Sequence, residues 1–124
     1  MKKNEQIIKV KVNQAELLIT EIFKKKSCHT NEAETISKRL CLSNLKGHDS
    51  HGIVRVPRYC EWIDEKRVYP NKDHKIILDS GPLAIIDANQ GFGQVMGEKS
   101  VVEGVKRAKK HGISIPKDKK GAPP

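Results

Sequence analysis

A polar run bounded by two glycines constrains this chain more than any other feature of its sequence. Residues 47–52 read Gly-His-Asp-Ser-His-Gly, and neither helix nor strand periodicity continues through them. The run therefore predicts a loop between two helical segments. Pro57 supports a helix directly after it, because proline fits the first helical turn, where its missing N–H would have no partner anyway. The apolar face of that helix is expected to carry Val56, Tyr59, Cys60 and Ile63.

Two amphipathic helices are predicted before this loop. Asn13 with Glu16, and Asn31 with Glu34, have the spacing of capping boxes. Helices joined this closely usually pack as an antiparallel pair, and the second should end near Gly47. The apolar stripes are expected to be Ala15, Leu18 and Ile22 in the first helix and Ala33, Ile36 and Leu40 in the second.

Strands and a long helix are predicted after the loop, which makes the fold class α/β or α+β. Residues 75–79 and 83–87 are short aliphatic runs separated by Ser-Gly-Pro, a pattern that indicates two strands, possibly a hairpin. A glycine loop at 89–93 precedes a helix that should end at Gly112. That helix is marked by Val101, Val105 and Ala108.

The chain divides into three parts by composition. A basic amino-terminal extension covers residues 1–12, and one domain covers 13–114. Ile113 opens what looks like another strand, but Pro116 and a run of lysines and prolines follow at once. We therefore expect a disordered lysine- and proline-rich tail over residues 115–124.

The positive charge lies at the two ends of the sequence. The chain has 124 residues and a net charge of +9, of which residues 1–26 contribute seven lysines against three glutamates. Residues 106–124 carry seven basic groups and one acidic group, so the segment between has a net charge near zero. No aromatic residue lies among the terminal lysines to stack on bases, so the pattern does not favour nucleic-acid binding.

Cysteine content and hydropathy indicate a reduced compartment. The three cysteines, Cys28, Cys41 and Cys60, are an odd number without close pairing, which favours free thiols over a disulfide framework. No apolar run approaches the length of a membrane-spanning helix or follows the first lysines as a signal peptide would. These features predict a cytoplasmic protein that does not enter a membrane.

The polar loop carries the side chains most able to take part in binding or proton transfer. His48, Asp49, Ser50, His51 and Arg55 lie within eight positions. Imidazole can exchange a proton with a hydroxyl or carbonyl near neutral pH, and guanidinium can hold a carboxylate through two parallel hydrogen bonds. The set suits a small carboxylated substrate. The alternative is structural, with Ser50 capping the next helix, Asp49 favouring its positive end and the histidines in solvent; composition alone favours that alternative.

Two other patterns are weaker signals. His48-x-x-His51 lies near Cys41 and Cys60, but no Cys-x-x-Cys pair accompanies it, so no metal site is predicted. The segment 91–97, Gly-Phe-Gly-Gln-Val-Met-Gly, imitates a dinucleotide-binding turn. Its third glycine comes one position late for Gly-x-Gly-x-x-Gly, so the glycines are better explained by a tight strand-to-helix turn.

Residues 47–59, Gly-His-Asp-Ser-His-Gly-Ile-Val-Arg-Val-Pro-Arg-Tyr, resemble the signature of the type 2 malate/L-lactate dehydrogenase family. Residues 86–94, Ile-Asp-Ala-Asn-Gln-Gly-Phe-Gly-Gln, resemble a second segment of that family at the expected distance. The resemblance covers residues 13–114 and implies a fold that is not a Rossmann fold. It also implies an oxidoreductase that uses NAD or NADP, acts at C2 of a 2-hydroxy or 2-oxo acid and forms a homodimer.

Site residues follow from the resemblance position by position. It places Ser50 and His51 in the active site as catalytic residues, and it implies that Arg55 binds the substrate carboxylate. It does not identify the residues that bind the cofactor. Family members are longer and continue past the strand near Ile113 into a segment with another histidine. We therefore expect a truncated domain without activity of its own, the alternative being a small basic binding or assembly module.

Overall fold

The computed structural model describes residues 6–119 and 121 and confirms the predicted mixture of helices and strands. No helix in these residues is long and apolar enough to cross a bilayer. Two short 3-10 turns, Asp49–His51 and Ile53–Arg55, lie between the second and third helices. The remaining elements, in chain order, are α1 (Val12–Lys25), α2 (Thr30–Leu45), α3 (Val56–Asp64), β1 (Lys75–Ser80), β2 (Leu83–Asp87), α4 (Gly93–His111) and β3 (Ile115–Lys119).

Helices α1 and α2 form the predicted antiparallel pair. The hydroxyl oxygens of Thr20 and Ser37 lie 2.9 Å apart between them, and the Ser37 hydroxyl also donates to the carbonyl oxygen of Glu16 at 3.0 Å. This polar contact satisfies a Ser37 side chain that is almost fully buried.

The buried face of α2 is the predicted one, but that of α1 differs. Helix α1 buries Ala15, Ile19 and Phe23, whereas the expected Leu18 is 64% exposed. Residues 15, 19 and 23 recur every four positions, so this face also reaches Phe23, whose large ring excludes more water than Ile22 would.

Both predicted capping boxes are wrong. Helix α1 begins at Val12 and α2 at Thr30, so Asn13 and Asn31 lie inside the first turns and neither caps its helix with a side chain. At α2 the N–H of His29 donates instead to the side-chain oxygen of Asn71 at 2.7 Å. A residue distant in sequence thus satisfies a donor that a local cap often would.

An aromatic cluster joins the helix pair to the rest of the fold. Phe23 of α1 meets Phe92 edge to face with ring centroids 5.9 Å apart, and Tyr59 of α3 lies 5.9 Å from Phe92. Tyr59 also stacks on Trp62 at 5.5 Å. The cluster therefore fixes α3 and the start of α4 against α1 and α2.

The sheet is built from the predicted hairpin and one crossover. Strands β1 and β2 pair antiparallel, with a register shift between Ile76 and Leu78. Helix α4 carries the chain back across the sheet, and β3 pairs parallel to β2, which gives the order β1-β2-β3. Helix α4 ends at Gly112 in a left-handed conformation, as predicted.

The expectation of a disordered tail from residue 115 onward is wrong for residues 115–119, which form β3. The Ser100 hydroxyl donates to Asp118 at 2.5 Å, and the N–H of Ala88 donates to the carbonyl of Lys119 at 2.7 Å. Proline is tolerated in strands at a sheet edge, and Pro116 also packs beside Gly104 of α4. Gly121 is exposed, and residues 120 and 122–124 lie outside the described part.

Helix α4 is present as predicted, but its marker valines face solvent. Val101 and Val105 are exposed, and so is Val102. The buried side consists of Val95, Met96, Ser100, Gly104 and Arg107. Small residues at this interface let α4 approach β3 closely, which the apolar pattern alone does not indicate.

Burial protects Cys28 from alkylation. Burial, with a smaller contribution from the nearby Glu32 carboxylate, raises the pKa of the Cys28 thiol to about 12 from 9.0. The reactive thiolate is then about a thousandfold scarcer near neutral pH than in the unfolded chain. We expect Cys28 to react with iodoacetamide at least that much more slowly in the folded protein than in guanidinium chloride, as followed by peptide mass spectrometry. Half-buried Cys60 is the internal control and should react first; equal native rates would contradict the burial of Cys28.

Candidate active site

The motif loop, residues 47–55, leaves α2 through a glycine and enters α3 through the two 3-10 turns. Gly47 has a φ of +82°, a conformation that side chains with a Cβ rarely adopt. The N–H of His48 donates to the carbonyl of Ser43 at 2.8 Å, which holds the start of the loop against the end of α2. Pro57 lies in the first turn of α3, as predicted.

One side chain of α2 contacts the loop at two points. The amide group of Asn44 donates from Nδ2 to Asp49 Oδ1 and accepts at Oδ1 from the N–H of Ile53, both at 2.8 Å. Gly52 is buried against this amide, and a Cβ at that position would overlap it. Sequence reasoning missed Asn44; the only local signal is an amide three residues before the glycine that opens the loop.

Ser50, His51 and Arg55 are connected by hydrogen bonds. Ser50 Oγ lies 3.1 Å from His51 Nδ1, and Arg55 Nε donates to the carbonyl of Ser50 at 2.7 Å. Ser50 and His51 are exposed and Arg55 is half-buried. The structure thus brings together the three residues for which the sequence predicts a role.

Arg55 differs from the other arginines of the chain. Four of the five arginines form ion pairs with carboxylates, but within the described residues none pairs with Arg55. Its Nε is held by the Ser50 carbonyl, so the two terminal nitrogens of the guanidinium face no protein carboxylate. A fork of this kind is suited to bidentate binding of an external carboxylate. The paired arginines are Arg39, Arg58, Arg67 and Arg107.

The structural alternative for the loop holds only in part. Helix α3 is preceded by Arg55 and has no side-chain cap, so Ser50 does not cap it. Asp49 does have a structural contact, with Asn44. His48 and His51 are exposed, but His51 Nδ1 lies near Ser50 Oγ.

Two residues of the glycine turn before α4 have a packing role. A Cβ on Gly91 would overlap the end of Met96 and approach the carbonyl oxygen of Ala88, so this glycine faces inward. Phe92 is buried in the aromatic cluster, and Gln94 donates from Nε2 to the Tyr59 hydroxyl at 2.8 Å. Gly91 and Phe92 are thus used in packing, and no residue is assigned to a cofactor.

Metal-ligating groups do not cluster in the described residues. No set of three or more His, Cys, Asp and Glu side chains within 6–119 could hold a metal ion. Cys41 is buried in the helix pair, where burial raises the pKa of its thiol.

The chain is similar in sequence and fold to proteins named as dehydrogenases. A sequence model of the malate/L-lactate dehydrogenase family matches residues 10–117. Hydroxycarboxylate dehydrogenase B of Escherichia coli O157:H7 is 31% identical over 77% of this chain and 27% of its own length, and L-sulfolactate dehydrogenase of Methanocaldococcus jannaschii is 34% identical over 79% and 28%. The structure of malate dehydrogenase from Pyrococcus horikoshii OT3 has a TM-score of 0.88 and 28% identity over 92% of this chain and 33% of its own.

The fold is shared with oxidoreductases that are named as dehydrogenases. The chain belongs to the malate/L-lactate dehydrogenase family, as the sequence motif predicts. It spans about a third or less of the length of the relatives it matches.

Replacing Gly52 tests the close contact with Asn44. We expect Gly52→Ala to lower the free energy of unfolding by about 1 to 3 kcal/mol, because a side chain forced into filled space shifts its neighbours. Gly93→Ala is the matched control, since a Cβ there meets nothing within 4 Å at the start of α4. Urea unfolding measures both; equal effects of the two substitutions would contradict the contact.

Proposed function

We propose that the motif loop is the substrate-binding part of a dehydrogenase site for 2-hydroxy and 2-oxo acids of the malate or lactate type. The observation that carries this proposal is the half-buried guanidinium of Arg55, tethered through Nε and without a carboxylate partner in the described residues. The matched relatives are named for hydroxycarboxylate, sulfolactate and malate, all of which are anions with a hydroxyl group.

Arg55 would bind the carboxylate of the substrate. Its side chain is already positioned by the Ser50 carbonyl, so little rotamer freedom remains to be lost on binding. The two terminal nitrogens can then donate in parallel to the two carboxylate oxygens. This contact would place C2 of the acid beside residues 50 and 51.

His51 would hold the proton at the C2 oxygen, with Ser50 as its neighbour in the site. Oxidation of the hydroxyl requires a group that accepts its proton, and imidazole does this near neutral pH. With Nδ1 near Ser50 Oγ, Nε2 is left as the ring nitrogen for substrate. Ser50 would then select the orientation of the ring.

We propose NAD or NADP as the hydride carrier on the basis of family membership alone. Gly91 and Phe92 of the glycine turn are used in packing, and none of the described residues is assigned to the cofactor. The chain covers about a third of a matched dehydrogenase. We therefore propose that this chain by itself does not turn over substrate.

A second candidate function is assembly without catalysis. Val101, Val102 and Val105 form an exposed apolar stripe on α4, and such patches often mark interaction sites. A homodimer, or binding to a polypeptide that carries the rest of the family fold, would cover this stripe. This candidate differs from the first because it requires complex formation but no binding of a 2-oxo acid. For either function we propose a cytoplasmic location, which the three free cysteines support.

Carboxylate binding at Arg55 can be measured with oxamate, an analogue of a 2-oxo acid. We expect oxamate to shift the NMR signals of the Arg55 Nε–H and the His51 ring, and Arg55→Lys to weaken binding about tenfold or more, because lysine cannot donate as a fork. Arg58→Lys is the matched control, since Arg58 lies three residues along the chain and pairs with Glu61 at 3.0 Å. Equal weakening in both variants would refute the role of Arg55.

Turnover is tested with the purified chain. We expect no NADH-linked reduction of pyruvate or oxaloacetate above the buffer blank, because the chain covers only about a third of a matched dehydrogenase. A full-length malate dehydrogenase of the family, assayed in parallel, shows that the assay works. Turnover that is abolished by His51→Ala would show that the chain is active by itself and would overturn this part of the proposal.

A further inference from the structure

We propose that Asn44 is the positioning residue of this site: its side-chain amide fixes both ends of the segment that carries Ser50 and His51 and thereby the contact between Ser50 and Arg55. The inference rests on the proposed function only in treating this loop as a substrate site; the contacts of Asn44 do not depend on that function. Nothing in the motif itself points to Asn44, which belongs to the last turn of α2.

The two contacts of Asn44 enclose the catalytic segment. Asp49 begins the first 3-10 turn and Ile53 begins the second, and each bonds to a different atom of the same amide. Ser50 and His51 lie between these two anchors. One side chain therefore controls the separation and relative direction of the two turns.

The segment has little else to hold it. Residues 48–51 are exposed, so apolar burial contributes little to their order. A backbone bond joins the loop to α2, from the N–H of His48 to the carbonyl of Ser43 at 2.8 Å, and it lies before the first turn. The backbone bonds of the two turns are local, from the N–H of His51 to His48 and from that of Arg55 to Gly52, both at 3.0 Å. These local bonds shape each turn but do not attach the turns to α2.

Asn44 follows a well-buried turn of α2. The preceding turn of α2 places Leu40 and Cys41 in the buried core, with 1% and 3% of their surfaces exposed. Gly52 packs directly on the amide, so the space on that side of the Asn44 side chain is filled. The link from core to loop is therefore short.

The contact set requires an amide rather than a carboxylate. Oδ1 must accept from a backbone N–H while Nδ2 must donate to the Asp49 carboxylate. Aspartate has the same shape as asparagine but would bring two carboxylates together. Two carboxylates at this distance repel each other unless one proton is shared between them.

The test compares Asn44→Asp and Asn44→Ala with Ser43→Ala, a matched control whose hydroxyl bonds only to Arg39 of its own helix. The readouts are hydrogen exchange of the Ile53 N–H and the NMR signal of the Arg55 Nε–H. At about pH 7 we expect Ile53 in Asn44→Asp to exchange about tenfold faster or more, the equivalent of one lost hydrogen bond, and the Arg55 signal to weaken. Ser43→Ala should behave as the parent chain.

Lowering the pH distinguishes a loss of loop positioning from a general loss of structure. As the pH falls toward about 4, Asn44→Asp should regain the slow Ile53 exchange and the Arg55 signal, relative to Ser43→Ala at each pH, because a proton becomes available to the paired carboxyls. Asn44→Ala has no such group and should not recover.

The outcomes separate this inference from the proposed function. Parent-like Ile53 exchange and Arg55 signals in both Asn44 variants at about pH 7 would overturn the positioning role. Faster exchange of Leu40 together with Ile53 in both variants would show general unfolding and would also overturn it. If oxamate does not bind the parent chain while the Ile53 and Arg55 effects appear as described, the proposed function fails and the positioning of the loop by Asn44 stands.

Discussion

The aromatic cluster around Phe23 is the contact on which the rest of this structure depends. The chain has only five aromatic side chains of the Phe, Trp and Tyr types, and four of them, Phe23, Tyr59, Trp62 and Phe92, meet in this cluster. They come from α1, α3 and the turn before α4. With so few large apolar groups, a single shared cluster is the economical way to hold separate elements on one helix pair. The motif loop leads directly into one of these elements, α3.

A second link ties the sheet to α4 by charge rather than by apolar packing. Arg107 is buried and donates to Asp79 at 2.7 Å, to the carbonyl of Gly81 at 2.8 Å and to Glu103 at 2.9 Å. The guanidinium, chiefly through its hydrogen bond, lowers the pKa of the Asp79 carboxyl, and that carboxylate in turn raises the pKa of Arg107. The hairpin turn is thus anchored to α4 where few large apolar side chains are available.

Periodic and contiguous features could be predicted from the sequence, whereas features that depend on distant partners could not. The hairpin, the long helix and its glycine end follow from local spacing and were predicted. The capping boxes failed because Asn71, more than forty residues along the chain, satisfies the N–H of His29. Strand β3 was missed because its composition is polar and its order comes from pairing with β2 and from Asp118 contacting Ser100. Asn44 was missed for a different reason: its partners Asp49 and Ile53 are near in sequence, but no spacing rule marks an amide in the last turn of a helix as a loop contact.

The proposed site has two ends, one for the substrate carboxylate and one for the cofactor. They differ in how much of the sequence they draw on, and this explains why the motif is easy to recognise in sequence. The carboxylate end is built within one segment, since Ser50, His51 and Arg55 contact one another and Asn44 precedes them by only a few positions. A short contiguous motif can therefore encode the whole arrangement. A nicotinamide dinucleotide is far larger than a lactate-sized acid, so its binding surface has to be assembled from more of the fold. The inward-facing Gly91 and the buried Phe92 show that these two residues of the glycine turn are used in packing. The proposed substrate end therefore draws on one contiguous segment, whereas none of the described residues is assigned to cofactor binding.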